Sequence, residues 1–230
     1  MPRYDTVLLD ADMTLFDFER SEREALNRVL RDRGYPTDPE TVGLYLRINS
    51  ALWEANARGE VDQDFLTVER FAAFMRVKGG THDPRAFNRD YLAALGEGSY
   101  LLPGAEDFCR ALAAGGCTLA IVTNGLPAAQ WGRFNRSPLK DVIGHMFVSM
   151  ELGCQKPQKE YFDRVCAELG LTDRSRVVVI GDSLRTDVLG GRNAGIDAIW
   201  YNPSGLPEDP SIRPTRTAGS YLEILDYLFT

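Results

Sequence analysis

Short β-branched, apolar runs alternate with amphipathic stretches along most of this 230-residue chain. Such alternation is typical of a parallel β-sheet that is covered by helices. The runs at 7–9 and 177–180 contain no polar residue, as expected of central strands buried on both faces. The predicted strands are 6–9, 118–123, 147–149, 177–181 and 198–201, and the predicted core helices are 105–114, 161–169, 187–194 and 221–229.

The alternation stops between residues 18 and 98, where every periodic segment has helical spacing. We therefore expect an α/β core formed by residues 1–17 and 99–230, with an all-helical insertion at 18–98. The segment from Thr37 to Glu40 is typical of a helix start, because Thr or Asp can cap the helix and Pro39 fits its first turn. The helices predicted in the insertion are 21–33, 39–58, 62–78 and 84–95.

Two carboxylates, Asp10 and Asp12, directly follow the first apolar run. In an open parallel sheet, ligands bind beyond the carboxyl ends of the strands. Once the chain has left the strand, both carboxylates can turn towards one pocket. The same segment also fits a surface turn in which Thr14 caps the next element, and the segment alone does not decide between the two.

Two further segments place polar groups beyond predicted strands. Thr123 and Asn124 end one strand, and their hydroxyl, their amide and the N–H of Gly125 could bond phosphate oxygens. Lys156 precedes a proline and a helix, where a stiffened backbone can aim the side chain inward. Taken singly, these residues are better explained as a strand-terminating turn and a solvated lysine.

A fourth segment carries two more carboxylates, Asp182 beyond a buried strand and Asp187 at the start of the next helix. Asp182 stands where a metal ligand is expected, and Asp187 could bond a metal-bound water or pair with Lys156. Asp187 also fits an ordinary helix N-cap. What distinguishes the four segments is their order, since carboxylates, a hydroxyl–amide pair, a lysine and carboxylates follow one another along the chain.

In this order the segments resemble the four sequence motifs of the haloacid dehalogenase superfamily, over essentially the whole chain. The matching residues are Asp10 and Asp12, then Thr123, then Lys156, then Asp182 with Asp187. The resemblance implies a Rossmann-like parallel-sheet core. The helical insertion after the first motif resembles the first type of cap domain in that superfamily.

The resemblance implies a phosphatase that carries the phosphoryl group on Asp10. Asp12 would protonate the leaving oxygen and then act as base for the water that hydrolyses the aspartyl-phosphate. Dehalogenases of the superfamily lack this second aspartate, so Asp12 favours phosphoryl chemistry.

The implied cofactor is Mg²⁺, a hard cation that prefers oxygen ligands. Its ligands would be a side-chain oxygen of Asp10, the backbone carbonyl of Asp12 and a side-chain oxygen of Asp182, with Asp187 in support. The residues expected to bind the phosphate are Thr123, Asn124 and Lys156.

The stretch from Leu46 to Trp53, with the later residues 68–71, resembles the cap of pyrimidine 5′-nucleotidases. In that interpretation Trp53 could stack a base, and Asn49 or Arg70 could bond its edge or the sugar. These residues also fit a structural role within the cap. The alternatives are a phosphatase of small metabolites such as phosphoglycolate or sugar phosphates, a phosphomutase, and a non-enzymatic phosphate-binding protein on the same fold.

The composition of the chain argues against some classes of binding partner. With 26 basic and 33 acidic residues the formal charge is −7, which argues against a nucleic-acid polymer but not against a small phosphorylated substrate. No apolar run approaches the roughly 20 residues needed to cross a bilayer, so we expect no membrane partner. Four cysteines without metal-ligand spacing, and a start without a leader pattern, favour buried free thiols in the cytoplasm.

Overall fold

Six parallel strands form one sheet in the computed structural model, which describes residues 2–230. In chain order they are β1 (Thr6–Leu9), β2 (Thr118–Thr123), β3 (His145–Val148), β4 (Val177–Gly181), β5 (Asp197–Tyr201) and β6 (Arg216–Ala218). Across the sheet the order is β3-β2-β1-β4-β5-β6, so β1 lies between β2 and β4. This arrangement confirms the predicted α/β class with a Rossmann-like core.

Ten α-helices accompany the sheet in the described part of the chain. Four lie between β1 and β2: α1 (Phe18–Asp32), α2 (Pro39–Ala57), α3 (Gln63–Lys78) and α4 (Pro84–Glu97). The others are α5 (Ala105–Ala114), α6 (Pro127–Arg136), α7 (Ser149–Leu152), α8 (Lys159–Glu168), α9 (Leu189–Asn193) and α10 (Tyr221–Phe229). A π-helical turn, Leu184–Val188, precedes α9.

Alternate residues of β1 pack into two separate apolar layers. Val7 and Leu9 pack in the layer that contains residues of α5 and α10, whereas Leu8 packs in the layer that contains residues of α8. All four residues of β1 and all five of β4 are buried, as the unbroken apolar runs predicted. The two central strands are therefore fixed by helices on both faces.

The four helices between β1 and β2 share an apolar core to which Ala129 of α6 also belongs, and in it Phe71 and Phe87 stack with ring centroids 4.1 Å apart. Each helix begins at an aspartate whose carboxylate accepts a backbone N–H of the first turn, for example Asp38 from Thr41 at 3.0 Å. Pro39 and Pro84 occupy first-turn positions that need no N–H donor. Local capping and aromatic packing thus explain why this stretch is helical throughout.

The structure differs from the prediction at the edges of the sheet. β3 covers 145–148 rather than 147–149, and Ser149 already begins α7. β6 and α6 were not predicted. His145 is exposed and β6 has only three residues, so neither edge strand carries the continuous apolar signal of β1 and β4.

Helix α6 packs directly on α4, and two glycines allow the close approach. A Cβ atom on Gly132 would lie 2.8 Å from the Cα atom of Gly96, too close for any side chain at that position. Arg136 donates to the carbonyl of Gly96 at 3.4 Å across the same contact. The insertion is therefore joined to the sheet region through α6 as well as through its two chain connections.

None of the helices within residues 2–230 has the length and apolarity that a membrane-spanning helix needs. All four cysteines are buried free thiols, as predicted. Burial raises the pKa of the Cys109 thiol to about 12, which makes it unreactive near neutral pH.

Candidate active site

The carboxyl ends of β1 and β4 meet at the point where the strand order reverses, and Asp10 and Asp182 follow these two strands directly. The N–H of Asp10 still donates to the carbonyl of Ile180 at 2.9 Å, which holds the two strand ends together. The chain then turns at Met13, a non-glycine residue with a φ of 61°. Left-handed backbone is uncommon at such a residue, and here it accompanies a tight turn beside two carboxylates.

The peptide groups of Asp182 are held from two sides. Its N–H donates to the hydroxyl of the fully buried Thr14 at 3.0 Å, and its carbonyl accepts the indole N–H of Trp200 at 2.7 Å. Thr14 also fitted a cap of the next element, but its hydroxyl instead connects the loop after β1 to the loop after β4. The backbone of Asp182 is therefore held by Thr14 on one side and by Trp200 of β5 on the other.

Lys156 lies at the centre of the carboxylates and is only 2% exposed. Its ammonium group donates to Asp10 Oδ1 at 2.6 Å, to Asp187 Oδ1 at 2.6 Å and to the carbonyl of Val122 at 2.8 Å. All three donors of the ammonium group are used. The second oxygen of Asp187 accepts the N–H of Ser183 at 3.1 Å, so this carboxylate is held in place from both ends.

Carboxylate oxygens of Asp10, Asp182 and Asp187 lie within 4.8 Å of one another. Burial raises the pKa of Asp10 to about 7, and the charges of Asp187 and Asp12 add to this effect while Lys156 opposes it. Burial likewise raises the pKa of Asp182 to about 8, with further contributions from Asp10 and Asp187. Burial alone would lower the pKa of Lys156, but Asp10 and Asp187 raise it, and the net shift is upward.

Clustered carboxylate oxygens with excess negative charge are the donor set that a hard divalent cation such as Mg²⁺ prefers. The donors present therefore fit the predicted metal. The side chain of Asp12 is not part of this cluster, and the expected contribution of its backbone carbonyl stays a prediction.

The loop after β2 supports the lysine. The side-chain amide of Asn124 donates to the carbonyl of Lys156 at 2.8 Å and accepts the N–H of Lys156 at 2.9 Å. The hydroxyl of Thr123 accepts the N–H of Gly125 at 3.0 Å. In this structure the amide of Asn124 thus orients the lysine segment, and its proposed contact with phosphate remains a prediction.

Asp12 is held by two residues that the sequence analysis missed. Arg133 Nη2 lies 2.5 Å from Asp12 Oδ1, and Gln130 Nε2 lies 2.8 Å from Asp12 Oδ2. Both side chains come from α6. The sequence contains one indication of their role. Gln130 and Arg133 are polar residues at helical spacing, and they occupy buried positions beside Ala129 and Phe134 on the apolar face of this helix.

A cavity of about 290 Å³ extends from these groups to the insertion. Its polar floor contains the acidic cluster, Lys156 and the loop after β2. The insertion contributes apolar and aromatic side chains to its lining, among them Phe18, Trp53, Leu92 and Leu95. The site therefore combines a charged end with an aromatic and aliphatic end.

Of the three residues of the insertion predicted to contact substrate, Trp53 and Arg70 line this cavity, and Asn49 lies behind Arg70. Arg70 is 2% exposed, and its Nε donates to Asn88 at 2.9 Å. Asn49 accepts from Arg70 at 3.3 Å and donates to Glu22 at 2.9 Å. Arg70 and Asn49 thus belong to a polar network inside the insertion, and their contact with substrate remains a prediction.

A sequence profile of haloacid dehalogenase-like hydrolases matches residues 4–195. The HAD-hydrolase YfnB of Bacillus subtilis is 36% identical over 215 residues, which cover 94% of this chain and 91% of that protein. Pyrimidine 5′-nucleotidase PynA of Streptococcus pneumoniae is 32% identical, with 98% and 95% covered. Pyrimidine 5′-nucleotidase YjjG of Escherichia coli is also 32% identical, with 96% of each chain covered.

A crystal structure of YfnB bound to magnesium superposes on this protein with a TM-score of 0.92. The match covers 99% of this chain and 100% of the other, at 35% identity. In YfnB that structure reveals interdomain movement. Sequence and structure comparisons thus point to the same group of hydrolases.

Proposed function

Because this chain belongs to the haloacid dehalogenase-like hydrolases, we propose that it is a phosphatase acting on pyrimidine nucleoside 5′-monophosphates through an aspartyl-phosphate on Asp10. One observation carries this proposal. At the floor of the cavity, Lys156 contacts both Asp10 and Asp187 within a carboxylate cluster completed by Asp182. This grouping brings a nucleophile, a fixed cation and metal-type ligands to one place.

The residues that would hold Mg²⁺ are Asp10, Asp182 and the backbone carbonyl of Asp12, with Asp187 in support. When bound, the ion neutralises negative charge on the carboxylates and the phosphate. Besides the ion, Lys156 supplies a positive charge from a side chain of the protein. Its three fixed contacts hold it against Asp10.

In the first half of the reaction, a carboxylate oxygen of Asp10 forms a bond to phosphorus and the ester P–O bond breaks. Asp12 gives its proton to the departing oxygen, which leaves as an alcohol. Thr123 and the loop amides would hydrogen-bond the phosphoryl oxygens as charge builds up on them.

In the second half, water attacks the phosphorus of the aspartyl-phosphate and Asp12 takes a proton from that water. The bond between phosphorus and the Asp10 oxygen breaks, which releases inorganic phosphate and restores the carboxylate. Asp12 ends the cycle protonated, as it began.

The two ends of the cavity support a nucleotide as substrate. A phosphate fits the charged floor, and the apolar end offers Trp53 as a surface on which a flat ring can stack. Two relatives that align with more than nine-tenths of this chain are named pyrimidine 5′-nucleotidases. We therefore assign a pyrimidine base to the apolar end.

We further propose that residues 18–98 act as a cap on a core formed by 1–17 and 99–230. The insertion contacts the core beside the cavity, where Gln63 donates to the carbonyl of Asn124 at 2.8 Å. Closure over the substrate would exclude water during the attack of Asp10. The buried free thiols favour the cytoplasm as the compartment.

The test is a panel assay of phosphate release by the purified protein, with Mg²⁺ and with a chelator. The panel contains UMP, dUMP and dTMP, purine mononucleotides, phosphoglycolate and hexose phosphates. We expect Mg²⁺-dependent hydrolysis with the highest kcat/KM for pyrimidine nucleotides, and no turnover by the Asp10→Asn variant.

A preference for phosphoglycolate or hexose phosphates would overturn the nucleotide assignment and support a small-metabolite phosphatase. Return of the phosphoryl group to sugar would indicate a mutase. Failure of the wild-type protein to hydrolyse any ester with Mg²⁺ present would remove the enzymatic proposal and favour phosphate binding alone.

A further inference from the structure

The guanidinium of Arg133 is fully buried at the edge of the candidate active site, with a relative exposure of 0%. It reaches Asp12 Oδ1 at 2.5 Å, and Gln130 reaches the other oxygen at 2.8 Å. The two donors lie three residues apart on α6, which places them on the same face of the helix. Both oxygens of this one carboxylate are therefore held by a single helix.

Helix α6 is itself held in place on both sides of these contacts. Behind it, the approach of Gly132 to Gly96 sets its distance from α4. In front, Gln130 lies across Gly125, where any Cβ atom would collide with the amide group. The contact with α4, which does not involve Asp12, thus sets the position of the helix that carries the two donors.

The other two nitrogen atoms of the Arg133 guanidinium make no hydrogen bond to the part of the chain that the structure describes. Its Nε and Nη1 atoms are buried and have no hydrogen-bond partner within residues 2–230. The group lies over the rings of Phe16 and Phe18, at 5.2 and 5.7 Å from their centroids.

Burying a guanidinium with unpaired donors is unfavourable, and an apolar side chain of similar volume would fill the space without that penalty. A packing role alone therefore explains Arg133 poorly. The contact that an apolar residue could not replace is the one with Asp12.

We propose that Arg133 and Gln130 are positioning residues for proton transfer by Asp12, an inference that rests on the proposed function. They hold the carboxylate in one orientation while it gives a proton to the leaving oxygen and later takes one from water. Each carboxylate oxygen has two lone-pair positions, so both contacts leave room for the proton.

This role makes the effect of Arg133 depend on the leaving group. An alkyl oxygen, such as the 5′ oxygen of a nucleotide, needs a proton as its bond to phosphorus breaks. A p-nitrophenolate ion is stable enough to leave without one. Formation of the aspartyl-phosphate should therefore depend on Arg133 for UMP and much less for p-nitrophenyl phosphate.

The experiment compares kcat/KM for UMP and p-nitrophenyl phosphate in Arg133→Met, Arg133→Lys and Gln130→Leu, at saturating Mg²⁺. For Arg133→Met we expect a loss of about 10²-fold with UMP, the usual size of a general-acid contribution, and under about tenfold with the aryl ester. Arg133→Lys should lose less kcat/KM with UMP than Arg133→Met does. Gln130→Leu should also lose more with UMP than with the aryl ester, but both losses should be smaller.

A second measurement follows the enzyme rather than the product. Because Asp12 also serves as base for water, Arg133→Met should accumulate chain carrying one phosphoryl group during turnover of p-nitrophenyl phosphate. Intact-protein mass spectrometry of quenched samples detects this species. The wild-type chain should show much less of it.

The matched control is Arg136→Met, which removes a cation from the same helix at the contact with α4 but does not touch Asp12. It should keep the wild-type ratio of the two kcat/KM values. Equal losses on both substrates in Arg133→Met, or wild-type rates with UMP, would overturn the inference.

If Arg133→Met fails to fold, Gln130→Leu and Arg133→Lys decide by the same ratio, because neither leaves an empty site of comparable size. Wild-type protein that hydrolyses no phosphate ester would overturn the proposed function and this inference together. An active wild type with an unchanged substrate ratio in the variants would overturn only the role of Arg133 and Gln130.

Discussion

Lys156 shows how strongly one buried side chain can depend on distant parts of the chain. Its ammonium group bonds Asp10, 146 residues away, and Asp187, 31 residues away. Two carboxylates and one ammonium group that share a dry site stabilise one another only as a set, because each alone would keep an unfavourable buried charge. Lys156 thus holds together parts of the chain that are far apart in sequence.

We predict that Lys156→Met reduces hydrolysis by at least about 10²-fold and lowers the free energy of unfolding by about 3–5 kcal/mol, the range for removal of one partner from a buried pair. Turnover assays and urea denaturation measure the two effects. Lys159→Met is the control, since its pair with Asp163 is largely exposed and such pairs contribute under about 1 kcal/mol. Similar stability losses in both variants would contradict the assigned role.

We predict that Asp12→Asn still folds but lowers turnover of nucleotides by about 10²-fold or more, because an amide cannot transfer the proton, and that it unfolds at a lower temperature, because buried Arg133 loses its counter-charge. The side chain of Asp12 is partly exposed and lies outside the acidic cluster, so the substitution leaves that cluster intact. Steady-state assays with UMP and a thermal unfolding curve test both parts. Near-normal turnover would remove Asp12 from the mechanism.

Strands that are encoded in continuous apolar runs can be predicted from the sequence. The predicted limits of β1, β2 and β4 coincide with the structure, because apolar residues buried on both faces give an unambiguous signal. The edge strands β3 and β6 lack that signal. Helix α6 was missed because polar residues, Gln130 and Arg133, interrupt its apolar face.

Prediction of the site is limited in the same way, because only part of it is encoded in local sequence patterns. Residues at strand ends can be grouped from topology alone, since all carboxyl ends of a parallel sheet lie at one edge. The contact of Arg133 with Asp12 joins positions 121 residues apart and lies on a helix. It depends on how α6 packs against α4, which follows from the whole fold rather than from a local pattern.

The close contact between α4 and α6 leads to a prediction about how tightly the two helices are packed. In Gly132→Val, the new side chain would meet backbone atoms of Gly96, which cannot move aside as a flexible side chain could. We expect a loss of about 1–3 kcal/mol in unfolding free energy, typical of overpacking, together with lower turnover of UMP.

Denaturant unfolding and a UMP assay measure these changes. Gly144→Val is the control, because no atom lies within 4 Å of a Cβ atom at that position. Its effect on stability should stay within about 0.5 kcal/mol. An unchanged unfolding curve for Gly132→Val would show that the two helices can separate freely.

The acidic cluster should make the stability of the folded protein depend on pH and on Mg²⁺. Burial and neighbouring charges raise the pKa of Asp10 to about 7 and that of Asp182 to about 8. In the unfolded chain these groups ionise near their ordinary value of about 4. Between about pH 4 and pH 8 the folded protein thus binds more protons than the unfolded chain, and stability falls as pH rises.

We therefore predict that, with a chelator present, the contribution of these two groups makes the protein less stable at pH 8 than at pH 6. Mg²⁺ should stabilise the protein most at the higher pH, where the cluster is most negatively charged. Urea unfolding across this range with chelator or Mg²⁺ measures both effects. Asp182→Asn should flatten the pH dependence, and the same slope in variant and wild type would contradict this account.

The central position of β1 has a consequence for synthesis on the ribosome. β1 emerges first, but one neighbouring strand begins at Thr118 and the other at Val177. Until both have been made, an apolar strand with two unpaired edges can pair with the wrong chain. The four-helix segment can form its aromatic cluster in the interval, but the carboxylate cluster around Asp10 is complete only after Asp187 has left the exit tunnel. A nascent chain therefore passes through a long stage that is prone to misassembly and has no catalytic power.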